Sequence, residues 1–515
     1  MRAKFLAIAA VACLGFSANV FAQKAAIDKI IEMGENDNQV MHQLDILTNR
    51  FGGRLVGSDA YENAAEWMIR EFESWGLEAK LEEAGSVPVG FNRGPWSGKL
   101  LSEDGMVLHF ATPSYTSGTR GKQRGVALIE PRSQAEFDGM KHVLKGAWVL
   151  VSGTNGGWPV DISEKGDSTR KATIAKNNEI AIKNREIMMS NRRNGEKKPT
   201  EPLIEVPYLF YDQMVEAGVL GFIQSASTPI RALYDRPLLN DPTTNFDDLS
   251  TVPDIKLDEH QYAKIKQMVI ERREPILEFD IRNHFKIGPI KYHNVVASIK
   301  GEKYPDEYVI VSGHLDAFDV ATGGVDCGTG IGPMMEVARL ISESGAKPKR
   351  TILFVGFAAE EFGLLGAKAF CETHKDMMPK ISYLFNRDGG PLAPVGLSVS
   401  ENMYDDIVKV CEPLKKLSSD IPFEVTVSKA GPRPTRMGGT DATVFGMNGV
   451  PYIGFKEADP KGYNFDYNEI WHTENDRYDK NIPEYQEHAA TVTAIVVLGI
   501  ANLDHQLSRE GMYID

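Results

Sequence analysis

Two histidines and a set of carboxylates stand where short apolar runs end. EYVIVSG is followed at once by His314-Leu315-Asp316, and ten residues after Asp316 comes Asp326, in the Gly-rich stretch GGVDCGTGIG. TILFVGFAA runs into Glu360-Glu361, ISYLFN leads to Asp388 in NRDGG, and beyond VPYIGF lies IWHTEND with His472. Imidazoles and carboxylates without paired thiolates suit zinc or a similar borderline ion. Five such ligands exceed what one open catalytic ion takes from protein; they fit two ions about 3.5–4 Å apart that share a carboxylate. Such a pair acidifies a water, and a carboxylate outside the ligand set can take its proton. Glu360-Glu361 offers one base and one ligand, and Asp316, two residues after His314, is placed to orient that imidazole. Taken singly, each residue has a plainer reading as loop polarity or turn chemistry. Their joint occurrence at successive strand ends points to a metal hydrolase.

The elements that must position these residues follow from the same runs. From His293 onward, β-branched and aromatic segments alternate with helical patterns such as GPMMEVARLISE and LLGAKAFCETH. That alternation predicts an α/β domain with a mixed, largely parallel sheet flanked by helices. In such sheets ligands bind at the carboxyl ends of the strands. VPYIGF reads as a further strand. Tyr61, Ala65, Met68, Phe72 and Trp75 fall on one face of a helix over 59–75, capped by Gly76. A last helix is expected from Pro483 to about Leu507. Between Trp96 and Ile287 the texture differs: short runs such as GVALIE, GAWVLVSG and ILEFDI surround a charged stretch, 162–201, read as a solvated helical insertion or a contact arm. This middle region reads as a separate β-rich domain, giving an order of 1–22 leader, 23–95, 96–287 insert and 288–515.

Composition sets outer bounds. The 515 residues carry 57 Lys and Arg against 71 Asp and Glu, a net charge of −14, which argues against a nucleic-acid partner and an anionic membrane surface. MRAKFLAIAAVACLGFSANVFA has the basic start, short apolar stretch and small residues of an export signal, with cleavage expected after Ala22. Export to the periplasm or the medium is therefore expected. Cys327, Cys371 and Cys411 remain after cleavage, too few for a disulfide scaffold. No later run is long and apolar enough for a membrane span.

HLDAFDVATGGVDCGTG, AAEEFGLLGA, FNRDGG, GGTDATVF and WHTENDRYD together resemble the core of metallopeptidase family 28, the co-catalytic zinc exopeptidases. RFGGRLVGS at 50–58 and FNRG at 91–94 resemble the carboxypeptidase Q-like branch, and LKGAWVLVSG and AGVLGFIQSAS resemble its inserted protease-associated domain. The resemblance implies a zinc-exopeptidase fold holding two zinc ions per chain. His314 and Asp388 would bind one, Glu361 and His472 the other, and Asp326 would bridge them. Glu360 would be the general base, Asp316 the orienter of His314, and Gly439, Thr440 and Asp441 part of the substrate pocket. Peptides or dipeptides are the expected substrates, and a homodimer is expected from the resemblance alone.

Two departures stand out. Cys327 follows the bridging Asp where relatives often carry a small polar residue, and is read as a packing substitution. Some relatives place an oxyanion-binding Tyr before the pocket segment; here the stretch is Arg436-Met437-Gly438-Gly439. Arg433 and Arg436 are available for a substrate carboxylate. Aminopeptidase, carboxypeptidase and dipeptidase all remain open. A single-zinc glutaminyl cyclase and a non-catalytic binding protein on the same fold are the competing readings; the complete ligand set argues against the second.

Overall fold

The computed structural model describes residues 23–102, 105–452 and 454–514. The expected export signal, 1–22, lies outside the described residues. The described residues form two compact units: those within 23–87, 291–471 and 475–514 make the first, and those within 88–290 with 472–474 the second. The unit boundaries lie a few residues outside the 96–287 read from composition. They fall within continuous strands, which composition does not mark.

The first unit is built on a five-stranded sheet. Its strands are β1 (Glu78–Asn92), β2 (His284–Ile299), β3 (Tyr304–His314), β4 (Arg350–Phe357) and β5 (Ile381–Asn386), in the order β1-β2-β4-β3-β5. β2 runs antiparallel to β4, while β3 is parallel to both β4 and β5. All eight residues of β4 are buried, as expected of a central strand whose run RTILFVGF is apolar on both faces. The register sets His314 opposite Phe357 and Ser312 opposite both Val355 and Asn386. Three parallel strands thus end on one edge, and the polar residues that follow them emerge together.

Helices cover the sheet. α1 (Asp59–Ser74) starts at Ser58, whose side chain accepts from the Tyr61 amide, and buries Tyr61, Ala65, Met68 and Phe72. α2 (Gly328–Glu343) and α3 (Pro483–Ala501) are almost wholly buried. α3 ends six residues short of the expected Leu507. Within the VPYIGF run, Tyr452 forms an isolated parallel bridge with Leu384, and the Pro451 carbonyl accepts from the Leu384 amide at 2.9 Å.

The second unit holds an eight-stranded sheet whose middle strands, Gln123–Ile129, Trp148–Asn155, Gly221–Ala226 and Asp254–Asp258, are parallel. Trp148 and Phe279 meet edge-on in its core. The charged stretch 162–201 contains a helix, Glu164–Asn194, opened by Ser163 and closed by Gly195 at φ 66°. Its buried Asn177 donates to the Arg132 and Ile204 carbonyls and accepts from the Ile204 amide, which ties the helix down. Among the described residues no helix is long and apolar enough to cross a membrane.

Candidate metal centre

His314, at the end of β3, is 1% exposed. Its Nδ1 lies 2.9 Å from the Asp316 carbonyl oxygen. A carbonyl oxygen only accepts, so Nδ1 carries a proton and donates it there. Nε2 lies 3.1 Å from Asp326 Oδ1 and 3.4 Å from Asp388 Oδ1. The His314, Asp388 and Cys327 donor atoms all lie within 4.8 Å of one another. Burial by itself would lower the His314 imidazole; Cys327, Asp388, Glu360 and Asp316 outweigh it and hold the pKa well above its ordinary value.

Asp316 orients His314 through its backbone rather than its carboxylate. The carboxylate is 3.7 Å from Nδ1 and turns instead to the Glu360 and Glu361 amides, accepting from them at 3.1 and 3.2 Å. Asp316 thus lies against the His314 imidazole, as expected of a residue that orients it, and its side chain also fixes the turn that carries the two glutamates. That turn is strained, with Ala359 at φ 55° and Leu364 at φ 60°.

Burial pushes the carboxyls of Glu360 and Glu361 well above the usual carboxylate range, and neighbouring acids add to it: Glu361, Asp388 and Asp441 for Glu360, Asp326 and Asp316 for Glu361. Burial likewise raises Asp388 and Asp441. Asp441 is 1% exposed, and neither of its carboxylate oxygens has a hydrogen-bond partner. So many buried acids around one imidazole nitrogen are unfavourable without a cation to answer them. The donor set of imidazole and carboxylate oxygens fits a zinc centre.

Three residues whose roles the sequence did not disclose hold this arrangement. Arg54, from RFGGRLVGS, is fully buried. It donates to the Leu315, Thr322, Gly323 and Gly52 carbonyls, which fixes the loop between His314 and Asp326. Burial lowers its pKa to about 10 even though Asp476, Cys327, Asp316 and Asp326 lie near it. Asp476, from WHTENDRYD, accepts from the Val325 and Asp326 amides at 2.7 and 3.2 Å. Arg387 donates to the Gly390 and Leu392 carbonyls and so shapes the loop that carries Asp388. Each is a charged residue inside a motif; only the fold reveals which backbone it serves.

The expected pocket residues divide. Thr440 accepts from Asn386 Nδ2 at 2.6 Å and hydrogen-bonds Asp388, so it stands beside that carboxylate. Asp441 is buried, whereas Gly439 and Arg436 are exposed. Arg433 donates to the Met447 carbonyl. A cavity of about 240 Å³ adjoins Asp388 and is walled by Phe385, Tyr452, Phe455 and Met334, with Arg387 and Glu457 on its polar side. Cys327 is buried and its thiol donates to the Arg387 carbonyl at 3.1 Å. His472 lies in the second unit's short stretch 472–474, with φ 59°.

Residues 294–496 match the model of peptidase family M28. The chain is 24% identical to mouse carboxypeptidase Q over 502 residues, covering 94% of this chain and 90% of the relative. It shares its fold with a peptidase M28 precursor from Shewanella amazonensis (TM-score 0.57, 20% identity, 95% of this chain and 99% of that one). A zinc aminopeptidase from Bacillus subtilis gives a TM-score of 0.51 at 14% identity, over 93% of this chain and 98% of that one. His314, Asp326, Glu361, Asp388 and His472 all fall inside the span, residues 294–496, over which the chain is similar to peptidase family M28.

Proposed function

We propose that this chain is an exported di-zinc exopeptidase that hydrolyses peptides or dipeptides. The match of residues 294–496 to the peptidase family M28 model and the likeness to carboxypeptidase Q support the chemistry. The observation that carries the reading is His314 Nε2 set between the Asp326 and Asp388 carboxylates. In this reading His314 and Asp388 hold one zinc, Glu361 and His472 the other, and Asp326 bridges. When bound, the ions polarise the scissile carbonyl and offset the negative charge that builds on its oxygen.

The chain's own residues do the rest. Glu360 accepts a proton at its carboxylate as the attacking water forms its bond to the carbonyl carbon. It returns that proton to the amine nitrogen as the C–N bond breaks. Burial next to other acids raises its affinity for the proton, as a group that must both take and give one requires. Asp316 holds the Glu360 and Glu361 amides, so base and ligand move as one turn. Thr440 steadies Asp388, and exposed Arg436 is available to a free substrate carboxylate.

The test is metal content and hydrolysis on the mature chain and on Glu360→Gln, with free, N-blocked and C-blocked dipeptides. Two zinc ions per chain, with a variant that keeps them yet loses about 10³-fold or more in kcat, is the expected result. The blocked substrates then reveal which terminus is read. Absence of metal, or an equally active variant, would overturn the reading. One tightly held ion with ammonia release would favour the glutaminyl cyclase.

A further inference from the structure

Thr473 and Glu474, the two residues after His472, are held by a network of contacts. Thr473 forms an antiparallel bridge with Arg231. The Glu474 amide donates to the Ile230 carbonyl at 2.9 Å, and Glu474 Oε1 accepts from the Ile230 amide at 2.9 Å. Its other oxygen, Oε2, lies 2.6 Å from His109 Nε2. His109 is itself fixed: its amide donates to Gln261 Oε1 at 2.8 Å, its carbonyl accepts from the Asp258 amide at 3.0 Å, and its Nδ1 faces Asp258 Oδ2 at 3.8 Å. Glu474 therefore grips Ile230 by main chain and side chain at once, and His109 holds the carboxylate in that pose.

His472, two residues away, sits at φ 59°, a left-handed conformation that is uncommon for any residue other than glycine and persists only where the flanking structure imposes it. We infer that Glu474 and His109 are positioning residues for His472. Together they impose its backbone conformation, so the affinity for the zinc that His472 would hold depends on them. This inference rests on His472 being a zinc ligand.

The experiment titrates zinc against a chromogenic chelator on the intact chain and on His472→Ala, Glu474→Ala, Glu474→Gln and His109→Gln, with kcat measured as free zinc is raised. His472→Ala is expected to lose one ion. Glu474→Ala should keep one ion as tightly as the parent and bind the other about 10–100-fold more weakly, the usual effect of removing a ligand's support. Its kcat should return as zinc is raised, which a merely destabilised fold would not do. Glu474→Gln keeps an acceptor for the Ile230 amide and should fall between the two. His109→Gln, at a half-exposed position, is the variant least able to unfold the chain and should weaken the same ion several-fold. If His472→Ala loses an ion while Glu474→Ala and His109→Gln bind both like the parent, the positioning inference fails and the metal assignment stands. If His472→Ala keeps both ions, the ligand assignment and the inference fall together.

Discussion

Asp316 exchanges one expected job for two. Its carbonyl fixes the His314 tautomer while its carboxylate accepts the Glu360 and Glu361 amides. Asp316→Asn leaves the carbonyl in place and can satisfy one amide, so it should lower kcat/KM by about 10–100-fold while the ion on His314 is retained. Steady-state kinetics with zinc analysis checks this. Arg54 shows what a buried cation costs when its partners are removed. Arg54→Ala leaves the Leu315, Thr322 and Gly323 carbonyls without their donor and should destabilise the chain by about 3–5 kcal/mol, read from denaturant unfolding. Arg436 is exposed and serves no backbone carbonyl among the described contacts. Arg436→Ala should therefore raise KM for substrates with a free carboxylate and leave C-blocked ones unchanged, if the carboxyl end is the one read.

The glycine-rich opening of α2 is where sequence pattern becomes packing. A Cβ on Gly330 would lie 2.3 Å from the Arg387 carbonyl oxygen and 2.4 Å from Cys327 Sγ. Only a residue without a side chain lets this helix pass the loop that carries Asp388. Gly330→Ala should cost about 1–3 kcal/mol of stability and lower zinc affinity with it, measured by unfolding and metal titration on the same sample. The elements themselves were largely legible: β3, β4 and β5 match their apolar runs, and α1 matches its periodic face. The end of α3 was misplaced, since apolar content continues past the last helical residue.

At the scale of the whole chain, the most informative group is a buried carboxyl. Glu130 in the second unit is 4% exposed, and burial raises its pKa to about 7 despite hydrogen bonds from the Ser152 and Leu209 amides. A carboxyl whose folded pKa exceeds its unfolded value stabilises the fold below the unfolded pKa, and that contribution is lost as pH rises through the folded one. The chain should therefore lose about 3 kcal/mol from this group between roughly pH 5 and pH 8. Unfolding free energies across that range should fall less steeply for Glu130→Gln than for the parent; equal slopes would contradict the assignment.

The sequence by itself determined which groups are candidates and their order along the chain. His314, Asp326, Glu361, Asp388 and His472 could be named as candidates because chemistry restricts which side chains bind zinc, and strand-end position is written in apolar runs that stop. What only the tertiary structure decided is who holds whom. Asp316 meets the imidazole with its carbonyl and two amides with its carboxylate. Arg54 and Asp476 acquired partners more than 100 residues away. Asp441 and Arg436, five residues apart, separated into a buried acid and an exposed base. Hydrogen-bond partners are set by distance in space, and nothing in local periodicity or composition encodes that distance.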